Sequence, residues 1–173
     1  ERYDITDIAR DSLRALAAAT GESAFLSARR GDESVCLLRE EGSFPIRSFV
    51  LYEGIRFPLG VASAGLAMLA FLPQEQIERY LETADLVPRW GAAHSADAVR
   101  RRIAETREGG YAVNPGLIVE GSWGMGAAVF DRSGQPAWAL SLTGVESRFG
   151  PDRRPELGRL LLEHAHRISQ RLR

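Results

Sequence analysis

Few side chains in this sequence have the type and spacing for covalent chemistry, and each has a plainer use. Ser63 lies between a strand-like run and a helix, as a nucleophilic serine does in hydrolases. Yet Gly60-Val61-Ala62-Ser63-Ala64-Gly65 is one residue too long for the Gly-x-Ser-x-Gly elbow. No histidine is tied to Ser63 by spacing, and the nearest, His94, falls in a predicted loop. Cys36, between Val35 and Leu37, reads as a buried structural thiol, and as the lone cysteine it can form no internal disulfide. His164 falls on the apolar stripe of a C-terminal helix and His166 points elsewhere, neither with a metal-ligand partner at usable spacing. A serine hydrolase is therefore kept only as an alternative; no catalytic residue, metal site or cofactor is expected.

The residues suited to binding lie on a hairpin, residues 121–144. Two strand-forming runs flank Asp131-Arg132-Ser133-Gly134, a polar, glycine-ending loop that reverses the chain. With that loop setting the register, Val129 faces Pro136, Ala127 faces Trp138, Met125 faces Leu140 and Trp123 faces Leu142, a bulky apolar face. Because side chains alternate along a strand, the other face carries Ser122, Gly124, Gly126 and Ala128 against Ala137, Ala139, Ser141 and Thr143. So small a face leaves space for the backbone of a close helix or for a ligand. The hydroxyls of Ser141 and Thr143 favour the ligand. A dimerisation module that fills this face with its own side chains remains the alternative.

A second stretch bears on the same space. After Pro58 the chain enters a predicted helix from about Ala64 to Phe71 with Ser63 as its N-cap, and Ala62, Ala64 and Gly65 barely obstruct the free N–H groups of the first turn. An anion could dock there, although ordinary capping and tight packing explain the same residues. Asn114, before Pro115-Gly116, could orient a ligand or simply make the turn.

These residues need a scaffold. Residues 4–19 predict an amphipathic helix ended by Gly21, and Phe25 to Arg29 with Ser34 to Arg39 predict a second hairpin. Ile46 to Tyr52 reads as a further strand. A short helix follows Pro73, residues 83–94 read as a loop, and Ser95 to Arg107 as a helix with Val99, Ile103 and Ala104 inward and Arg100, Arg101, Arg102 and Arg107 outward. Gly109-Gly110 stops it, Tyr111-Ala112-Val113 returns to the sheet, and Asp152 is the expected cap of a long C-terminal helix with Leu157, Leu160, Leu161, His164, Ile168 and Leu172 on one stripe.

Length and composition fit one globular domain of 173 residues, 45% hydrophobic and 26% charged. No run approaches the roughly 18 to 20 apolar residues of a membrane span, and Glu1-Arg2-Tyr3-Asp4 does not begin a secretory signal, so a cytoplasmic protein with no membrane partner is expected. All 22 basic residues are arginine, but 23 acidic residues balance them, and the domain alone should not bind nucleic acid.

In order and spacing together, several runs resemble the C-terminal effector-binding domain of IclR-type bacterial transcriptional regulators. They are Arg56 through Pro58-Leu59 to Ala62, Gly65 and Ala67-Met68-Leu69-Ala70; Arg107-Glu108-Gly109-Gly110-Tyr111-Ala112-Val113; Gly121, Val129-Phe130-Asp131, Gly134 and Ala139-Leu140-Ser141-Leu142-Thr143-Gly144; and Arg148 with the helix after it. The resemblance implies an α+β, GAF-like fold, a curved antiparallel β-sheet flanked by α-helices. It implies residues 1–20 as the helix following an interdomain linker, residues 21–173 as the effector-binding domain, and an N-terminal winged helix-turn-helix outside this chain. It also implies a homodimer or homotetramer that meets DNA only through that missing domain and responds to a small-molecule effector.

Carried over from the family, the effector-binding positions are Ala62, Ser63, Ala64, Gly65, Asn114, Gly124, Ser141 and Thr143, to which strand alternation adds Gly126. The chain departs from the family's usual His at Gly60, Asp at Asn114, acid at Leu117, Cys at Gly124 and Pro at Ala128. Losing these ligands argues against a metal. Gly124 in place of Cys implies an enlarged, more apolar pocket, suited to an aromatic or medium-chain carboxylate.

Overall fold

The computed structural model describes residues 4–46 and 48–173; residues 1–3 of the acidic start and Arg47, within the run read as a further strand, lie outside the described residues. Asp4 opens the first helix, α1 (Ile5–Thr20), by accepting from the Thr6 amide, and Gly21 closes it in the left-handed conformation at φ 79°. Strands β1 (Ser23–Arg30), β2 (Glu33–Glu40) and β3 (Arg56–Pro58) lead into α2 (Ser63–Ala70). Helices α3 (Gln74–Thr83), α4 (Val87–Trp90) and α5 (Ala96–Gly109) follow, then β4 (Ala112–Pro115), β5 (Ser122–Phe130), β6 (Pro136–Val145) and α6 (Arg154–Arg171). The strands form one antiparallel sheet in the order β3-β2-β1-β6-β5-β4.

Alternation decides what each face of the sheet meets. Leu26, Leu38, Met125, Ala127, Val129, Leu140 and Leu142 join Leu13 and Leu16 of α1 and Leu157, Leu161 and Ile168 of α6 in one core. On the opposite face Phe25, Cys36, Ala112 and Ala139 join α2, with Ile77 and Leu81 of α3 and Val99 and Ile103 of α5, in a second. Helix α2 is buried along its whole length, which its near-continuous Ala, Gly, Leu and Met composition requires. The fold is α+β, as the sequence implied.

Several local expectations need correction. Residue 125 pairs with 142 and 127 with 140, two places from the expected register, because the loop takes in Gln135 and the strands shift between Val129 and Phe130. An even shift preserves the faces. Ile46 to Tyr52 is not a strand where described: Ile46, Phe49 and Tyr52 are 63%, 71% and 52% exposed, and only Leu51 of that run is buried. Residues 83–94 are not one loop, since α4 starts with Pro88 in its first turn and a 3₁₀ turn, Ala92–His94, follows. Arg153, not Asp152, is the residue before α6, with no side-chain cap, and Ala104 is exposed.

The arginines of α5 are not all solvated. Arg107 donates from Nε to the Ala70 carbonyl at 2.6 Å and from Nη2 to the Leu72 carbonyl at 3.1 Å, satisfying the C-terminal end of α2. Cys36 is buried, and desolvation pushes its thiol up to about 12.

Candidate functional site

Gly60 makes the turn into α2 at φ 92°, a conformation that excludes the family's usual side chain there without strain. Helix α2 then begins at Ser63, with Ala62 in the extended conformation before it and no side-chain cap. Ser63 was expected as the cap; it is instead the first helical residue, so no side-chain acceptor serves the first-turn amides. Asn114, at the end of β4, fixes this turn from below. Its Nδ2 donates to the Val61 carbonyl at 3.0 Å while its Oδ1 accepts from the Leu117 amide at 2.9 Å.

The small face of the hairpin is largely covered by the protein's own backbone. A Cβ on Gly126 would stand 2.9 Å from the Ser63 carbonyl oxygen and 3.3 Å from the Ala64 nitrogen, so α2 lies directly on that glycine. Ser141, the partner of Gly126 across the strands, is fully buried. Gly65 is likewise packed, 3.4 Å from the Gly60 nitrogen at its would-be Cβ. One end stays open. There Ala62, Ser63, Asn114, Gly124 and Thr143 line a cavity of about 20 Å³, closed by Val50, Leu51, Ile118, Ser122 and Trp123. Of the expected effector-binding positions, these five reach the cavity, whereas Ala64, Gly65, Gly126 and Ser141 lie in packed contacts beside it.

That volume suits a single water molecule. Gly124 does not enlarge it as expected, because the Ser63 hydroxyl takes the room: a Cβ at Gly124 would meet Ser63 Oγ at 3.0 Å. The cavity lining is uncharged and mostly apolar, with Ser63, Asn114, Ser122 and Thr143 among its polar residues. Thr143 is 6% exposed and its Oγ1 is buried without a hydrogen-bond partner, as is Ser141 Oγ under α2. Two nearby groups that each lack a partner make this the least satisfied part of the sheet.

Outside the cavity runs a groove of about 520 Å³ lined by Ser48, Phe49, Val50, Val119, Glu120, Gly121, Ser122 and Val145. It shares Val50 and Ser122 with the cavity. The hydroxyls of Ser48 and Ser122 hydrogen-bond to each other across that boundary. Phe49 and Val119 both line it, exposed by 71% and 52%. Sequence reasoning missed this cover; its signal was the apolar run 46–52, of which Phe49 and Val50 line the groove and Val50 and Leu51 the cavity.

The hydrolase arrangement is absent among the described residues. His94 Nδ1 lies 3.0 Å from the Trp90 carbonyl, and His164 Nδ1 lies 3.2 Å from Ser12 Oγ, on the α1–α6 side of the sheet. Burial first, and then a neighbouring arginine charge, lowers both imidazole pKa values: Arg102 for His94 and Arg167 for His164. The unfolded chain therefore binds more protons than the native one, and stability contributed by these neutral rings is lost as pH falls from about 6.5 through their lowered native values. In thermal melts from pH 8 to 5, the wild-type midpoint is expected to fall more steeply than that of His164→Gln.

The family model described as "Bacterial transcriptional regulator IclR C-terminal" matches residues 1–170. The chain belongs to this family. Among curated relatives, the HTH-type transcriptional regulator KipR of Bacillus subtilis is 28% identical over 173 residues, covering 99% of this chain and 69% of KipR. The HTH-type transcriptional repressor AllR of Klebsiella pneumoniae is 30% identical over 171 residues, covering 98% of this chain and 62% of AllR. The chain thus spans about two thirds of the length of these relatives. The crystal structure of Thermotoga maritima IclR superposes with a TM-score of 0.91 at 30% identity, covering 99% of this chain and 69% of that one. Within this IclR C-terminal domain, the departures at Gly60 and Gly124 have local causes: one residue sits at positive φ, and the other faces the Ser63 hydroxyl.

Proposed function

We propose that this chain is the effector-sensing domain of a bacterial transcriptional regulator, binding a carboxylate at the start of α2. The observation that carries the reading is the buried, unpartnered Thr143 hydroxyl, set in a cavity beside a helix start with no side-chain cap. A buried polar group without a partner costs about 1–3 kcal/mol, which a hydrogen-bonding guest recovers. The carboxylate meets the uncapped start of α2 at Ser63, the first-turn residue that lines the cavity, with Thr143 as a further donor. As it stands the cavity holds a single water, so the head group enters only as the Ser63 hydroxyl turns aside and the Ser48–Ser122 hydrogen bond opens. An apolar body lies in the adjoining groove between Phe49 and Val119, once the Ser48–Ser122 hydrogen bond opens. That division favours an aromatic or medium-chain acid over a two- or three-carbon acid, with Glu120 in the groove disfavouring a second negative charge.

In the longer protein, the occupied site modulates DNA binding by an N-terminal winged helix-turn-helix, in a cytoplasmic homodimer or homotetramer. The packing of α2 on Gly126 favours the second reading, a dimerisation module with no ligand. Thermal-shift measurements with phenylacetate, benzoate, hexanoate and octanoate separate the two. At a hundredfold excess over Kd, binding raises stability by about 2.7 kcal/mol, or a midpoint shift of about 5 °C or more. Stabilisation by glyoxylate or pyruvate alone contradicts the ligand class, and no response to any acid supports the ligand-free module.

A further inference from the structure

The two walls of the effector cavity come from different parts of the chain, and one side chain joins them. One wall is the turn into α2, where Ala62 and Ser63 follow Val61. The other is the loop between β4 and β5, where Ile118 lines the cavity and Val119 and Glu120 line the groove. Asn114 stands at the base of both. It pairs with Gly124 across β4 and β5, so its side chain lies on the small face, where it is 6% exposed. Pro115 after it holds its backbone in the extended region, which fixes where that side chain starts.

Nδ2 of Asn114 donates to the Val61 carbonyl at 3.0 Å, and Oδ1 accepts from the Leu117 amide at 2.9 Å. A carbonyl on one side and an N–H on the other leave one orientation for the carboxamide, since the reverse sets oxygen against oxygen and N–H against N–H. Among the described residues no other hydrogen bond connects residues 59–63 with residues 116–121. The Val61 carbonyl also acts on the His94 ring, in the turn before α5, a contact that leaves the loop untouched. The loop's other hydrogen bonds run elsewhere: the Ser122 amide donates to the Val119 carbonyl at 3.0 Å, and the Glu146 amide to the Gly121 carbonyl at 2.9 Å.

We propose that Asn114 is the positioning residue of the effector site: it sets the separation of the two walls, and through them the affinity for the acid. The proposal rests on the effector-sensing reading above. A group that donates on one side and accepts on the other serves both walls at once. The departure from the family's usual Asp at this position then has a cause, because a carboxylate still accepts from Leu117 but turns a lone pair toward the Val61 carbonyl. Once protonated, a carboxylic acid of the same shape donates again. Burial and the facing carbonyl both raise the pKa of a carboxyl placed here.

The test uses Asn114→Asp and Asn114→Leu in the whole 173-residue chain. Affinities for phenylacetate and hexanoate are measured at about pH 5.5 and about pH 8, on either side of the range in which a raised carboxyl titrates. Asn114→Asp should bind about tenfold more weakly than the wild type at the higher pH and within about threefold of it at the lower, as one buried hydrogen bond is lost and regained. Asn114→Leu, which carries no charge, should bind about tenfold more weakly at both, which separates lost positioning from repulsion between carboxylates. In the ligand-free protein, hydrogen exchange at the Ser122 amide, whose bond to Val119 does not involve Asn114, reports on the loop. Relative to the wild type it should quicken about tenfold in Asn114→Leu at both pH values, and in Asn114→Asp at the higher one only. A residue that merely touched the acid would leave that exchange alone.

Unchanged Ser122 exchange in both variants overturns the proposal. If no acid binds the wild type, the effector reading fails and this role with it; if acids bind all three proteins equally, this role alone fails. Should Asn114→Leu not fold, Asn114→Asp decides by itself: a loss of affinity that is the same at both pH values overturns the proposal.

Discussion

Replacing Gly126 with valine is expected to lower the unfolding free energy by about 3 kcal/mol, measured by urea denaturation. A first methyl group at this position already stands 2.9 Å from the Ser63 carbonyl oxygen and 3.1 Å from its carbon. Those atoms belong to the first turn of α2 and cannot swing aside. The branched side chain must push the buried helix off the sheet or distort β5. Gly124, one alternation along, predicts a milder result, because its nearest neighbour at 3.0 Å is the Ser63 hydroxyl, which a rotamer change can move. Gly124→Ala should therefore cost less than half as much as Gly126→Val. Equal losses would mean that the two ends of the strand face α2 in the same way.

Removing the Glu22 carboxylate should be about as damaging. Glu22 follows the end of α1 and is 2% exposed. Arg148 donates to it from Nε at 2.7 Å, and Arg153 donates to the same oxygen from Nη1. Arg148 and Arg153 also donate to the Thr20 carbonyl, so one cluster closes α1 and holds the chain entering α6. Breaking a buried pair by deleting one partner costs about 3–5 kcal/mol. The arginine side chains keep 26% and 32% of their exposure and can rehydrate in part, which places Glu22→Ala at the lower end, about 3 kcal/mol. Glu22→Gln, which preserves an acceptor, should lose less. Arg148 also lies over the Phe44 ring at 4.0 Å, so the same loss should loosen the loop that leads to the groove.

The legible parts of this sequence were those with a strict period. Alternation along β5 and β6 identified both faces correctly, even with the register two residues out, since only an odd shift would exchange them. The caps Gly21 and Gly110 were legible because each sits at positive φ after an amphipathic run. Tertiary capping was not. Arg107 reaches the end of α2 from α5, 37 residues along the chain, and nothing local distinguishes it from Arg100 or Arg101. The run around Phe49 has strand-forming residues but joins no ladder where it is described, and Phe49 and Val50 line a groove instead.

The site itself was half legible. A face of Gly, Ala, Ser and Thr says that something approaches closely, without saying what. Here the answer differs along one strand: the backbone of α2 takes Gly126, and a small cavity remains at Gly124 and Thr143. The clue lay in the second stretch, where Ala62, Ala64 and Gly65 are as small as the face they meet. Two small surfaces allow backbones to pack closely, and only their frayed end leaves room for a guest.

That end is where the decisive measurement lies: a crystal structure of the chain grown with whichever aromatic or medium-chain acid shifts its melting most. The carboxylate should lie within hydrogen-bond distance of Thr143 Oγ1 and the start of α2 at Ser63, with its body between Phe49 and Val119 and the Ser48–Ser122 contact broken. An acid bound elsewhere, with Thr143 still unpartnered and that contact intact, would contradict the assignment of the site.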